Sequence, residues 1–305
     1  MLIWLFVFII SMAALVIASD KFIESAEQAG IALGMPTFLV GVLIIGVGTS
    51  LPELVSSLFA IAKGSSEIVV GNVLGSNITN IFLVLGIAAI LSKRLTITHD
   101  ILNIDLPFIF GSALMLYLFM KDGQVTTGEA IFCLIVLVVY LFQSISGDNQ
   151  DVPEKVKMTA LGIITLVISP VVIFFGAQYT VESVIHIATI AKIPEEVIAL
   201  SAVALGTSLP EVMVTISAAK RNNAEMAVGN VIGSNIFNSL AVIGIPGLIS
   251  TLKVPQSIID FSLPMFMGTT VLFILLTVDK RVNRGEGAFL VVLYGFFIGR
   301  LFHLI

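Results

Sequence analysis

The sequence predicts an all-α integral membrane protein of ten transmembrane helices, arranged as two inverted-topology five-helix repeats with helices 2 and 7 broken. Three observations predict it. The 305 residues are 57% hydrophobic and only 11% charged, with a mean hydropathy of +1.10, against roughly a quarter charged in an ordinary soluble domain. Apolar runs of about 20 residues, the length a helix needs to cross a bilayer, recur along the whole chain. One polar sentence is written twice inside them.

The runs fall near residues 2–19, 37–62, 68–91, 101–120 and 127–146 in the first half. In the second they fall near 159–186, 194–219, 226–250, 257–278 and 285–304. The first run lacks a basic segment before it, since the first lysine is Lys21; it reads as a retained span rather than a cleaved signal. Between runs five and six lies the only obvious linker, the polar stretch from Gly147 to Lys157. Residues 1–146 are therefore read as the first repeat, 147–158 as a short linker and 159–305 as the second repeat. Ten of the 15 Lys and Arg residues fall in the loops after runs 1, 3, 5, 7 and 9. Positive charge marks the cytoplasmic side, so both termini are expected to be extracellular.

The duplicated sentence begins with Gly48-Thr49-Ser50-Leu51-Pro52-Glu53, which recurs as Gly206-Thr207-Ser208-Leu209-Pro210-Glu211. It continues with Gly71-Asn72-Val73-Leu74-Gly75-Ser76-Asn77-Ile78-Thr79-Asn80. The second copy reads Gly229-Asn230-Val231-Ile232-Gly233-Ser234-Asn235-Ile236-Phe237-Asn238. The offset is 158 residues throughout, and about half the positions of 48–86 are identical in 206–244. Five spans per half is an odd number, so the second copy enters the membrane from the opposite side. The two motifs then approach one another near the midplane, the arrangement of alternating-access transporters.

The residue types point to a cation. Pro52 lacks an N–H and clashes with the carbonyl of Gly48, and Pro210 does the same to Gly206, so each helix is expected to break before its glutamate. Freed carbonyls at membrane depth need partners. Thr49 and Glu53 share a helix face, as do Thr207 and Glu211, Ser76 and Asn80, and Ser234 and Asn238, each pair four residues apart. Ser50 and Ser208 add hydroxyls. The inventory is all oxygen, with no thiolate or imidazole, and suits hard cations such as Ca²⁺. Mid-span carboxylates are rare and functional by default. Asn72, Asn77, Asn230 and Asn235 read instead as interhelical hydrogen-bonding residues, and Asp105 and Asp260 as interfacial. His99, His186 and His303 show no ligand spacing. The single Cys133 excludes a disulfide within the chain, and the net charge of −5 argues against nucleic acid. No nucleotide-binding, zinc-protease or nucleophile-elbow motif occurs, so no enzyme activity is expected.

At these motifs the chain resembles the Ca²⁺/cation antiporter superfamily, and within it the prokaryotic sodium/calcium exchangers. The resemblance implies a secondary antiporter that admits about three Na⁺ for each Ca²⁺ expelled, with Na⁺, Ca²⁺ and the bilayer as partners and no cofactor. It implies an acidic pair at Glu53 and Glu211 and hydroxyl ligands at Thr49, Ser50, Ser76, Thr207, Ser208 and Ser234. It further implies backbone-carbonyl ligands at Gly46 and Ala204 and amides at Asn80 and Asn238. Several relatives, including the K⁺-dependent branch, carry Asp where this chain has Asn238. Two carboxylates and three Na⁺ leave one net positive charge, so exchange is expected to be electrogenic. A proton-coupled Ca²⁺ exchanger and a cation channel are the competing readings, with an intramembrane hydrolase a distant third.

Overall fold

The structure is a computed structural model and describes residues 2–92, 94–146, 158–190 and 208–301. Its helices in the first half are α1 (Leu2–Leu33), α2 (Thr37–Ala62), α3 (Glu67–Leu91), α4 (Asp105–Met120) and α5 (Thr127–Ser146). The second half contributes α6 (Ala160–Ile190), α7 (Leu209–Lys220), α8 (Ala224–Ile249), α9 (Ile258–Thr277) and α10 (Arg284–Leu301). Seven of these (α1, α2, α3, α5, α6, α8 and α9) are long and apolar enough to cross a membrane, and α4 is a shorter apolar helix. The linker at 147–157 and the first part of the seventh expected span, 194–207, lie outside the described residues.

Most helices start and stop where the apolar runs do, with one exception. The first span was expected to end at residue 19, yet α1 runs on through Asp20, Lys21 and Glu24 to Leu33. At 32 residues it is about 48 Å long, well beyond the ~30 Å hydrocarbon core. Its charged turns can project into water without breaking the helix. A Lys21–Glu24 ion pair of 2.9 Å, one turn apart, supports them. The helix stops at Gly34, whose φ of 71° places it in the left-handed region.

α1 and α6 lie against each other antiparallel. Trp4 stacks on His186 at 3.8 Å, Thr180 Oγ1 donates to Ser11 Oγ at 2.9 Å, and Gly176 packs directly on Leu15. α3 and α8, which carry the second half of each motif, are the most buried of the spans.

Four very short strands join the loops into two faces, an addition to the expected all-helical chain. β1 (Arg94–Thr96) pairs antiparallel with β4 (Arg281–Asn283). On the same face, Glu225 accepts hydrogen bonds from the backbone N–H groups of Thr98 and His99, at 2.9 and 3.0 Å. β2 (Gln124–Val125) pairs with β3 (Leu252–Lys253), whose Lys253 N–H donates to Ser66 Oγ at 3.2 Å. The loops after α3, α7 and α9 thus gather at one end of the bundle. Those after α2, α4 and α8 gather at the other.

Candidate cation site

The expected break in α2 is not where the proline is. The helix continues through Pro52, and its irregularity is a π-helical segment just upstream, Val40–Gly46. One proline removes one hydrogen bond, and close packing by neighbouring helices holds the remaining turns in place. In the second copy Pro210 sits in the first turn of α7, after Ser208, a position where a missing N–H leaves no gap in the helix ladder. The residues before Ser208 are not described, and with them Ala204 and Thr207.

Two further π-helical segments begin at repeat-equivalent residues: Asn80–Leu85 in α3 and Asn238–Val242 in α8. The spacing of polar residues gave no signal for this widening. A π-turn inserted in a helix often marks a functional position, and here it begins at the amide of each motif.

The described candidate ligands are all buried. Thr49, Ser50, Glu53, Ser76 and Asn80 from the first copy, and Ser208, Glu211, Ser234 and Asn238 from the second, are each at most 3% exposed. Gly46 is buried with them. What separates six of them from ordinary buried polar residues is satisfaction. Both carboxylate oxygens of Glu53 and of Glu211, both amide atoms of Asn80 and of Asn238, and the hydroxyls of Ser50 and Ser76 have no hydrogen-bond partner among the described residues. Buried polar atoms are nearly always paired, and leaving one unpaired costs about 1–3 kcal/mol, more for a charge. Glu53 and Glu211 are repeat-equivalent, 158 residues apart. Among the described residues no group of three His, Cys, Asp or Glu occurs. The donor set is therefore two carboxylates with hydroxyl and amide oxygens, which fits a hard cation.

Elements from opposite halves form the site together. Thr49 Oγ1 lies 3.1 Å from Asn230 Oδ1 and 3.3 Å from Ser234 Oγ, and Ser234 Oγ donates to the Gly46 carbonyl at 3.2 Å. This closeness requires the glycines. A methyl group on Gly46 would come 2.8 Å from the Ser234 nitrogen, and one on Gly233 would come 2.3 Å from the Val42 carbonyl oxygen.

Asn72, Asn77 and Asn230 act between helices, as expected, whereas the Asn235 side chain donates within its own helix, to the Val231 carbonyl at 2.7 Å. Asn72 Nδ2 donates to Ser57 Oγ at 3.3 Å, and its counterpart Asn230 Nδ2 donates to Thr215 Oγ1 at 2.8 Å. Asn77 Nδ2 donates to the carbonyl of Asn235 at 3.3 Å and to Ser239 Oγ at 2.8 Å. Asp260 is exposed and accepts from Gln256 at 2.8 Å. Asp105 corrects the expectation of an interfacial carboxylate. It is buried, accepts from Tyr140 Oη at 2.9 Å and lies 3.8 Å from His99 Nε2. Its partner comes from the next helix, which local sequence does not reveal.

The family model for sodium/calcium exchanger protein matches residues 3–146 and 161–302, nearly the whole chain. The chain belongs to this family. Among sodium/calcium exchanger relatives, MaX1 of Methanosarcina acetivorans is 31% identical over 98% of each chain. The inner membrane protein YrbG of Escherichia coli is 29% identical over 95% of this chain and 93% of its own. Among solved structures, the sodium-calcium exchanger NCX_Mj, soaked with 10 mM Na⁺ and 10 mM Sr²⁺, superimposes with a TM-score of 0.85. It is 27% identical and covers 98% of both chains. As in that family, the chain is a multi-pass, all-helical membrane protein of the cation-exchanger type.

Proposed function

We propose that this exchanger couples Na⁺ to Ca²⁺ at the site formed by Glu53 and Glu211, by alternating access and with net charge movement. The observation that carries the reading is the set of unpartnered, buried oxygens contributed by both motifs, with a carboxylate and an amide from each. Two carboxylates balance one Ca²⁺. Three Na⁺ at the same site leave one positive charge, so each cycle moves charge. An empty, doubly ionised site buried among apolar helices is costly, so reorientation is favoured only when cations are bound. That penalty is what couples the two fluxes.

The ligands assigned are the Glu53 and Glu211 carboxylates, the hydroxyls of Thr49, Ser50, Ser76, Thr207, Ser208 and Ser234, the Asn80 and Asn238 amides, and the carbonyls of Gly46 and Ala204. We assign the chain ten spans in two inverted repeats, 1–146 and 159–305, joined by 147–158. The antiparallel α1–α6 pair and the contact between Asn77 and its counterpart Asn235 support that assignment. With positive charge inside, both termini are extracellular.

The test is ⁴⁵Ca²⁺ uptake into Na⁺-loaded proteoliposomes, beside K⁺-loaded and pH-gradient controls. Uptake that requires internal Na⁺, carries current and disappears in Glu211→Gln is the expected result. Uptake driven by the pH gradient alone would overturn Na⁺ coupling, and flux that needs no counter-ion gradient would indicate a channel.

A further inference from the structure

A cavity of about 460 Å³ opens beside the buried ligands. Its lining includes Pro52 and Pro210, the residues immediately before Glu53 and Glu211, with Ser56 one turn further along α2. The opposite wall is α6, through Gln178, Val181, Glu182 and Ile185. Glu182 is the one charged side chain among the described residues that line it. Its side chain is 45% exposed, and its neighbour one turn along α6 is the imidazole of His186, whose Nε2 lies 3.9 Å away. Trp4 of α1 stacks on that imidazole. The site described above makes no use of this carboxylate.

We propose that Glu182, with the amide oxygen of Gln178 and the hydroxyl of Ser56, forms an outer cation-collecting site that loads the buried pair. The proposal rests on the transport reading. A cleft with low-dielectric walls and one sign of charge focuses the field and raises the local counter-ion concentration. A single wet carboxylate offers too few oxygens to hold Ca²⁺ tightly, so it concentrates ions without trapping them. The cavity reaches both prolines, so an ion collected there shares one open volume with the residues that precede the two buried carboxylates.

The repeat supports the assignment. The residue 158 positions before Glu182 is Glu24, so the first copy also carries a carboxylate at this place. There Glu24 is paired with Lys21 at 2.9 Å, its charge compensated. Glu182 has no lysine or arginine in that role among the described residues.

The experiment measures the half-saturating Ca²⁺ concentration for ⁴⁵Ca²⁺ uptake into Na⁺-loaded proteoliposomes, at low and high ionic strength set with N-methyl-D-glucamine chloride. Glu182→Gln is expected to raise it roughly 3- to 10-fold at low ionic strength. High salt should close most of that gap, and Glu182→Asp should restore most of the wild-type value. An unchanged half-saturating concentration at low ionic strength overturns the proposal. So does a shift that salt does not alter, because that marks a structural role. Glu211→Gln separates the two readings. If wild type shows no uptake that Glu211→Gln removes, the transport reading fails; if it does and Glu182→Gln behaves as wild type, only the collecting site fails. Ile185→Cys offers a route that leaves Glu182 intact, since Ile185 lines the cavity and the native Cys133 is buried. An anionic thiol reagent should lower the half-saturating concentration and a cationic one raise it; equal effects of the two overturn the proposal.

Discussion

The pair α3 and α8 and the pair α1 and α6 are built on different terms. In the apolar windows of α3 and α8, 78% of residues are buried, against 22% in α1 and 28% in α6. The first pair meets its neighbours through backbone, as where Gly233 packs on Val42 and Gly46 on Ser234. The second meets largely through side chains, in a stacked Trp4 and His186 and a Thr180–Ser11 hydrogen bond, with one close backbone approach where Gly176 packs on Leu15. The buried carboxylates, on α2 and α7, sit beside this tight packing, and the amides Asn80 and Asn238 lie within it. Unpaired carboxylates and amides need ligands held at fixed distances, and rigid backbone contact supplies that. The outer pair faces lipid along most of its surface and has fewer groups to displace if it moves.

The largest expected effect tests the carboxylates of α2 and α7, which sit beside the tight pair. Glu53→Gln or Glu211→Gln should cut Na⁺-driven Ca²⁺ uptake by roughly 100-fold. Thermal unfolding in detergent should stay at the wild-type midpoint or rise, because a buried carboxylate without a partner is gone. A lower midpoint would mean that the carboxylate holds the fold together rather than binding ions.

Glycine substitutions set the two pairs side by side. Gly233→Ala puts a methyl 2.3 Å from a backbone carbonyl oxygen and should cost about 1–3 kcal/mol. Gly176→Ala meets Leu15 Cβ at 3.1 Å, where lipid-facing helices can shift apart, and should cost under about 1 kcal/mol. Equal losses in thermal stability would erase the contrast between rigid centre and yielding periphery.

A smaller effect compares the two copies. Asn230→Ala removes a fully buried partner of both Thr215 and Thr49, at about 1–3 kcal/mol. Asn72→Ala removes the weaker 3.3 Å bond to Ser57 from a partly exposed position and should lose less. Reversal of that order in urea or thermal titrations would place the tighter packing in the other half.

The smallest effect lies outside the membrane. The Lys280 ammonium, 3.1 Å from Asp100, holds its carboxyl below the usual carboxylate range. A depressed folded-state value stabilises above the unfolded value and is lost as pH falls through the folded one. The group is exposed, so Asp100→Asn should leave the thermal midpoint at neutral pH within error. A measurable drop would show that this loop contributes to the fold.

Much of this was legible because apolar length and motif duplication are local signals. The runs at 37–62 and 127–146 became helices with the expected bounds, and the described candidate ligands all became buried. What stayed hidden depends on distant partners or on backbone geometry. Asp105 looks interfacial until Tyr140 arrives from the next helix. α1 passes its charged turn because Lys21 and Glu24 pair along its own face, whereas a count of apolar residues stops at Ser19. The π-segments at Asn80 and Asn238 alter hydrogen-bond register without altering composition, and Pro52 bears its cost without ending the helix.

One contact carries a consequence for symmetry. Asn77 donates to the carbonyl of Asn235, but Asn235 donates to Val231 in its own helix. Two identical subunits around a dyad would have to make both contacts alike. A single chain holding both copies is released from that equality, so the contacts of one copy can be changed by one substitution while the other copy keeps its own.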